Sequence, residues 1–94
     1  MARWFVDPRV EKKLKKRLRR EDIARAKRFL GRLSQQPPPA SLNLHPMQGH
    51  DDLWEMKAGG QNRFILKRMK DETGDYFLVI DVGPHDVYGD YGKK

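Results

Sequence analysis

Three stretches in the second half of the chain decide its fold: Leu53-Trp-Glu-Met-Lys-Ala58, Asn62-Arg-Phe-Ile-Leu-Lys-Arg-Met69 and Tyr76-Phe-Leu-Val-Ile-Asp-Val82. Each is rich in apolar, aromatic and β-branched residues, and Gly59-Gly60 and Glu72-Thr-Gly-Asp75 separate them. Turns that short join antiparallel strands, so the three form a meander. Side chains alternate across a strand. Phe64 and Leu66 therefore share one side, with Arg63, Ile65 and Lys67 on the other. In the preceding strand Trp54, Met56 and Ala58 share a side, leaving Leu53, Glu55 and Lys57 opposite. With the Phe64 and Trp54 side in the core, the free face is expected to display Lys57, Arg63 and Lys67, a cationic concave surface on rigid elements.

Upstream, residues 2–6 (Ala-Arg-Trp-Phe-Val) read as a short strand. Asp7-Pro8 then reads as an N-cap followed by proline at the first helical position. Val10, Leu14 and Leu18 recur every four residues and predict a helix running to about Arg20. Asp22 is placed to cap a second helix carrying Ile23, Ala26, Leu30 and Leu33, with Phe29 beside them. Almost nothing joins the two, which implies a helical hairpin. The prolines of Ser34-Gln-Gln-Pro-Pro-Pro-Ala40 cannot continue the second helix. The expected fold is α+β: an N-terminal strand, a helical hairpin, then a three-stranded antiparallel meander, with both helices packed on one face of the sheet. Residues 1–94 are expected to form one domain. Trp4 and Trp54 are assigned to its core, and Leu44 and Met47 to packing the preceding loop against the sheet.

Composition narrows the function classes. There is no cysteine, which excludes disulfides and thiolate-metal sites. No apolar run is long enough for a transmembrane helix or a signal-peptide core, so a soluble, cytoplasmic protein is expected. Residues 1–33 hold 13 Lys/Arg against 4 Asp/Glu, and residues 34–94 hold 7 against 9. The first third is therefore +9 and the remainder −2, within a formal total of +7. That asymmetry suits a surface facing a polyanion, although a charge run also serves as a merely solvated helix face. Lys12, Lys13, Lys16, Arg17 and Arg20 are the candidates for phosphate contacts that add affinity without sequence information. His45, His50, Asp51 and Asp52 cluster in the chain, but their spacing matches no closed zinc pattern, and neither metal nor cofactor is expected.

Four words in this order, Leu44-His-Pro-Met-Gln-Gly49, Leu53-Trp-Glu-Met-Lys57, Asn62-Arg-Phe-Ile-Leu66 and Val82-Gly-Pro-His-Asp-Val-Tyr88, resemble the RelE/ParE superfamily of toxin–antitoxin toxins. The resemblance spans about residues 2–91. Its RelE-like branch implies an mRNA endonuclease acting in the ribosomal A site and neutralised by a cognate antitoxin, with which it forms a hetero-oligomer. The ParE-like branch shares the fold and poisons DNA gyrase, so fold alone does not choose between them. By resemblance, Arg63 matches the family's phosphate-binding arginine, Lys57 a position often Arg or Lys, and His85 a tail position that is Arg or His. The family's C-terminal aromatic is matched by either Tyr88 or Tyr91.

The residues support the same chemistry. Cleaving RNA without a metal requires removal of the 2′-hydroxyl proton, cations for the phosphorane, and a proton for the departing 5′-oxygen. His85 is the natural proton carrier, since imidazole titrates near neutrality. Tyr88 and Tyr91 are phenols able to orient the ribose, stack on a base or move a proton. Arg63 and Lys57 can hold the scissile phosphate, Arg63 in bidentate fashion, with Lys67 further along the same face. The plainer expectations are that Arg63 pairs with Glu55 across the hairpin, that His85 caps a strand end, and that the tyrosines seal the sheet edge. The basic hairpin equally suits an acidic, amphipathic antitoxin segment. Two other functions remain as expectations: a ParE-like gyrase inhibitor, and a basic nucleic-acid-binding module without toxicity.

Overall fold

A computed structural model describes residues 3–35 and 37–84. The chain runs β1 (Arg3–Val6), α1 (Pro8–Arg17), α2 (Arg20–Arg32), a 3-10 turn (Ala40–Leu42), β2 (His45–Pro46), β3 (Leu53–Lys57), β4 (Asn62–Asp71) and β5 (Gly74–Pro84). Among the described residues the strands form one five-stranded sheet in the order β1-β5-β4-β3-β2. The expected antiparallel meander is present as β3, β4 and β5. Two strands extend it. β1 lies parallel to β5, with Trp4 opposite Phe77 and Val6 opposite Val79. β2 adds a two-residue antiparallel edge to β3, and proline in it suits an edge rather than a central strand.

The first helix starts as its sequence dictates. The Asp7 carboxylate accepts the Arg9 backbone N–H, Pro8 occupies the first turn, and Lys15, Lys16 and Arg17 stand in the last turn, where the helix dipole favours cations. It stops at Arg17, not near Arg20. Leu18 is buried yet extended, at φ −114° and ψ 150°, and its N–H still reaches the Leu14 carbonyl. The four-residue apolar repeat therefore marks burial one step further than it marks helix. The cap of α2 also differs from expectation: Arg19 takes the N-cap position, and Asp22 sits inside the first turn with Glu21, where carboxylates meet the free N–H groups of the helix.

One core fills the space between the helices and the sheet. Val10, Leu14 and Leu18 from the α1 side and Ala26, Leu30 and Leu33 from the α2 side meet Met56, Ala58, Phe64, Leu66, Val79 and Val82. Both helices thus cover the Phe64 face, as the alternation requires. Trp54 packs partly buried against this core and meets Phe77 edge to face with centroids 5.3 Å apart. Trp4 packs at its margin and donates its indole N–H to the Ser34 hydroxyl at 2.6 Å.

The opposite face is not the bare cationic surface its alternation suggests. Met47 and Ile65 are buried on it, with Leu53 and Ile80 packed against them. A β-bulge causes part of this. Ile65 is opposite Asp81 but Leu66 is opposite Val79, so Ile80 is an extra residue in β5. Val79 and Val82 then both reach the helix core while Ile80 joins the outer cluster. Next to the bulge, the buried Asp81 accepts from Arg17 at 2.8 Å, lies 3.2 Å from the Lys13 ammonium, and accepts the Val82 backbone N–H. Arg17 also donates to the Val82 carbonyl at 2.8 Å, closing the β5 edge that β1 leaves uncovered.

Two predictions arise from these contacts. Replacing Asp81 by Ala leaves Lys13 and Arg17 facing each other across a partly covered site; urea unfolding should show a loss of about 1–3 kcal/mol, the scale of a charged hydrogen bond removed from a buried position. At the start of α1, hydrogen bonds from the Arg9 side chain and then its backbone N–H lower the Asp7 carboxyl from 3.8 to about 2. Its contribution is therefore complete above pH 4 and lost as the pH falls toward 2. Asp7→Asn keeps the capping oxygen, so unfolding midpoints followed from pH 5 to pH 2 should fall less steeply than for the native chain.

Candidate nucleic-acid interface

The site begins with a register. Lys57 of β3 is directly opposite Arg63 of β4, and Arg63 is opposite Gly83 of β5. Cross-strand partners point to the same face, so two cations stand side by side on the face away from the helices. Both flank the turn at residues 58–61, where Gly59 and Gly60 have φ of +98° and +57°. The row then passes Gly83, which adds no side chain, and β5 ends one residue later at Pro84.

The Arg63 guanidinium does not pair with Glu55. It donates to its neighbour's carbonyl, Asn62 O, at 2.9 Å, and is 3.5 Å from Gly60 O. Lys57 is exposed, and neither cation has a carboxylate partner among the described residues. Lys67 shares the outer face, but two steps down β4 beyond the buried Ile65, and its ammonium lies 3.9 Å from Asp52. It is thereby set apart from the Lys57–Arg63 pair.

Glu55 has a different partner. β2 places His45 opposite Glu55. The imidazole Nε2 is 3.2 Å from the carboxylate and Nδ1 is 2.6 Å from the Asn43 carbonyl oxygen. A carbonyl only accepts, so Nδ1 carries a proton. Nε2 faces the Glu55 carboxylate, so the ring is held between a carbonyl oxygen and a carboxylate. Glu55 is 9% exposed at its side chain and His45 39%, so the carboxylate is covered while the ring is open to a ligand. Glu55 and Lys57 are two residues apart on one strand, which puts the His45–Glu55 pair in the row next to the cations. Sequence reasoning assigned His45 to a loop cluster and missed this. The available signal was the alternation Leu42-Asn-Leu-His-Pro46, which reads as an extended edge strand ending in proline.

The hairpin cations divide into two groups. Lys13 and Arg17 hold Asp81, whereas Lys12, Lys16 and Arg20 are exposed. All belong to the helix layer, across the sheet from Lys57 and Arg63. His85, Tyr88 and Tyr91 lie outside the described residues. Among the described residues no three potential metal-ligating His, Cys, Asp or Glu side chains converge, and no helix is long and apolar enough to cross a membrane.

No protein-family model and no curated protein sequence matches the chain. Solved structures do. The archaeal RelE of a RelE-RelB complex from Pyrococcus horikoshii OT3 aligns at 20% identity and TM-score 0.63, over 88% of this chain and 93% of the other. A chain of the Escherichia coli DinJ-YafQ complex aligns at 18% identity and TM-score 0.64, over 93% and 97%. YafQ from E. coli strain BL21(DE3) aligns at 14% identity and TM-score 0.59, over 94% and 98%. The likeness extends over nearly the whole of each chain, and this protein has the RelE/YafQ-like fold that its sequence words resemble.

Proposed function

We propose that the chain is the toxin of a type II toxin–antitoxin system, a ribosome-dependent endoribonuclease that cleaves mRNA without a metal. The observation that carries this reading is the pair Lys57–Arg63, adjacent across two strands, unmatched by carboxylates among the described residues, and in the row next to a histidine in contact with a covered glutamate. A sheet gains nothing in stability from two neighbouring cations; such a pair suits a doubly coordinated phosphate. The fold shared with RelE and YafQ supports the same reading, and those proteins were solved with RelB and DinJ, which supports a cognate antitoxin as the partner here.

In this mechanism Arg63 and Lys57 bind the scissile phosphate and stabilise the added negative charge as the 2′-oxygen attacks. The bond to the 5′-oxygen breaks, leaving a 2′,3′-cyclic phosphate. One proton leaves the 2′-hydroxyl and one reaches the 5′-oxygen. His45, with Glu55 behind it, is placed to carry one of them. His85 follows Pro84, the residue after the one opposite Arg63, and is the candidate for the other. Tyr88 or Tyr91 orients the ribose or base. The chemistry is confined to the outer face, and Lys12, Lys16 and Arg20 contribute only affinity from the other layer.

The test is to add the purified chain to a translation system and map message ends. Cleavage on ribosomes is expected, and Arg63→Ala or Lys57→Ala should each slow it by about 10²–10³, the scale of removing a transition-state cation or donor. His45→Ala should slow it by roughly 10²–10⁴. Because Lys57 and Arg63 bind no carboxylate among the described residues, their alanine variants should unfold within about 0.5 kcal/mol of the native chain, which separates lost chemistry from lost fold. Intact message beside active ribosomes removes the nuclease reading. If supercoiling by DNA gyrase is inhibited under the same conditions, the ParE-like reading replaces it.

A further inference from the structure

Arg25 projects from α2 onto the turn between β3 and β4, and nothing in the packing of the core calls for its charge. Its stem lies against Gly59: a Cβ on that glycine would sit 2.7 Å from the Arg25 Cγ and would overlap its Cδ. Its Nη1 would be 3.6 Å from a Cβ on Gly60. The carbonyl of that same Gly60 is 3.5 Å from the Arg63 Nη1. Two guanidinium groups, one from the helix layer and one from the outer face, therefore converge on a single glycine, with Lys57 opposite Arg63. None of the three has a carboxylate partner among the described residues.

Like charges gathered around a turn repel one another, and several exposed arginines elsewhere in this molecule are matched by carboxylates: Arg3 with Asp71, Arg9 with Asp7, Arg68 with Asp75. What sets Arg25, Arg63 and Lys57 apart is their convergence on one turn, where an anion with more than one charge would relieve the repulsion. We infer that the Gly59–Gly60 turn is a second phosphate subsite, in which Arg25 holds the phosphate next along the RNA strand from the one held by Arg63 and Lys57. The inference rests on the outer face contacting RNA. The glycines make it geometrically feasible: Gly59 lets the Arg25 stem lie over the end of the sheet, and the exposed Gly60 adds no side chain between the two guanidinium groups and an approaching phosphate. Arg25 binds substrate and takes no part in the proton transfers.

The probe is a fluorescent single-stranded oligoribonucleotide, 2′-O-methylated throughout so that it cannot be cut, titrated with the full chain at several salt concentrations. Arg25→Gln should weaken binding roughly tenfold at low salt and reduce the slope of log K against log[salt] by about 0.7, the loss of one single-strand phosphate contact. Gly59→Ala keeps every charge but displaces the Arg25 stem, and should give the same loss. Lys70→Gln, an exposed change at the far end of β4, should leave the slope higher than either. In the cleavage assay Arg25→Gln should raise KM and leave kcat unchanged, whereas Arg63→Ala lowers kcat. Should Gly59→Ala fail to fold at its positive φ, the Arg25→Gln slope and the KM-against-kcat division decide alone. An unchanged slope in Arg25→Gln, or no binding by the native chain, overturns the subsite. Binding that depends on Arg25 in a chain that cuts no message keeps the subsite and removes the nuclease reaction.

Discussion

The buried carboxylate of Asp81 is the constraint around which the rest of the structure is arranged. A carboxylate removed from water is costly unless matched by cations and hydrogen bonds. Arg17, Lys13 and the Val82 N–H supply them here. Those contacts require the end of α1 to lie over β5 just beyond the last residue of β1, which fixes where the helix must stop. They also require the bulge at Ile80, since without the extra residue Val79 and Val82 would not both face the helices. The same bulge sets the register past it, so that Gly83 falls opposite Arg63. One ion cluster thus links the helix layer, the two-sided packing of the sheet, and the row of the sheet that carries the candidate site.

This cluster also changes how the basic N-terminal third should be read. Much of its excess charge is engaged in holding the fold. Arg3 binds Asp71, Arg9 binds Asp7, Lys13 and Arg17 bind Asp81, Lys27 binds Glu11 across the hairpin, and Arg32 lies over the Phe29 ring at 4.8 Å. Apart from the buried Asp81 cluster, such exposed pairs contribute little to stability individually, but all of them remove those groups from the cations free to meet phosphate. What remains at Lys12, Lys15, Lys16, Arg20, Arg25 and Arg28 is a smaller charge than the sequence total conveys.

Legibility in the sequence followed the range of the interaction. The Asp7-Pro8 helix start depends on neighbours one or two residues away, and it was readable. So was the meander, because its turns join adjacent segments and its alternation places Phe64 and Leu66 on the core side. The parallel pairing of β1 with β5 joins residues more than seventy positions apart, and no local pattern encodes it. The break after Arg17 was hidden because Leu18 continues the apolar repeat while leaving the helix. The bulge at Ile80 was hidden for the opposite reason: Tyr76-Phe-Leu-Val-Ile-Asp-Val82 is nearly all apolar, so no alternation exists for an extra residue to interrupt. For the site, Lys57 and Arg63 were legible from strand alternation and resemblance. The His45–Glu55 contact was not, because it depends on a two-residue strand whose only local mark is proline.

The two faces of the sheet consequently bear different chemical loads. The helix side carries the apolar core, and nearly all of what keeps the chain folded is there or at the Asp81 edge. The outer side carries a small apolar patch around Ile65, which rigidifies β3 and β4 from below while leaving their ends exposed. Lys57 and Arg63 stand at those ends, where water screens their mutual repulsion and no acidic group among the described residues quenches them. Ile65 lies between their row and Lys67, so the pair is isolated from other cations on that face and is not part of a continuous stripe. A continuous stripe would hold a polyanion equally well at many positions; an isolated pair beside a histidine in contact with a covered carboxylate offers one place for one phosphate. That localisation, more than the charge itself, is what reaction at a single linkage requires.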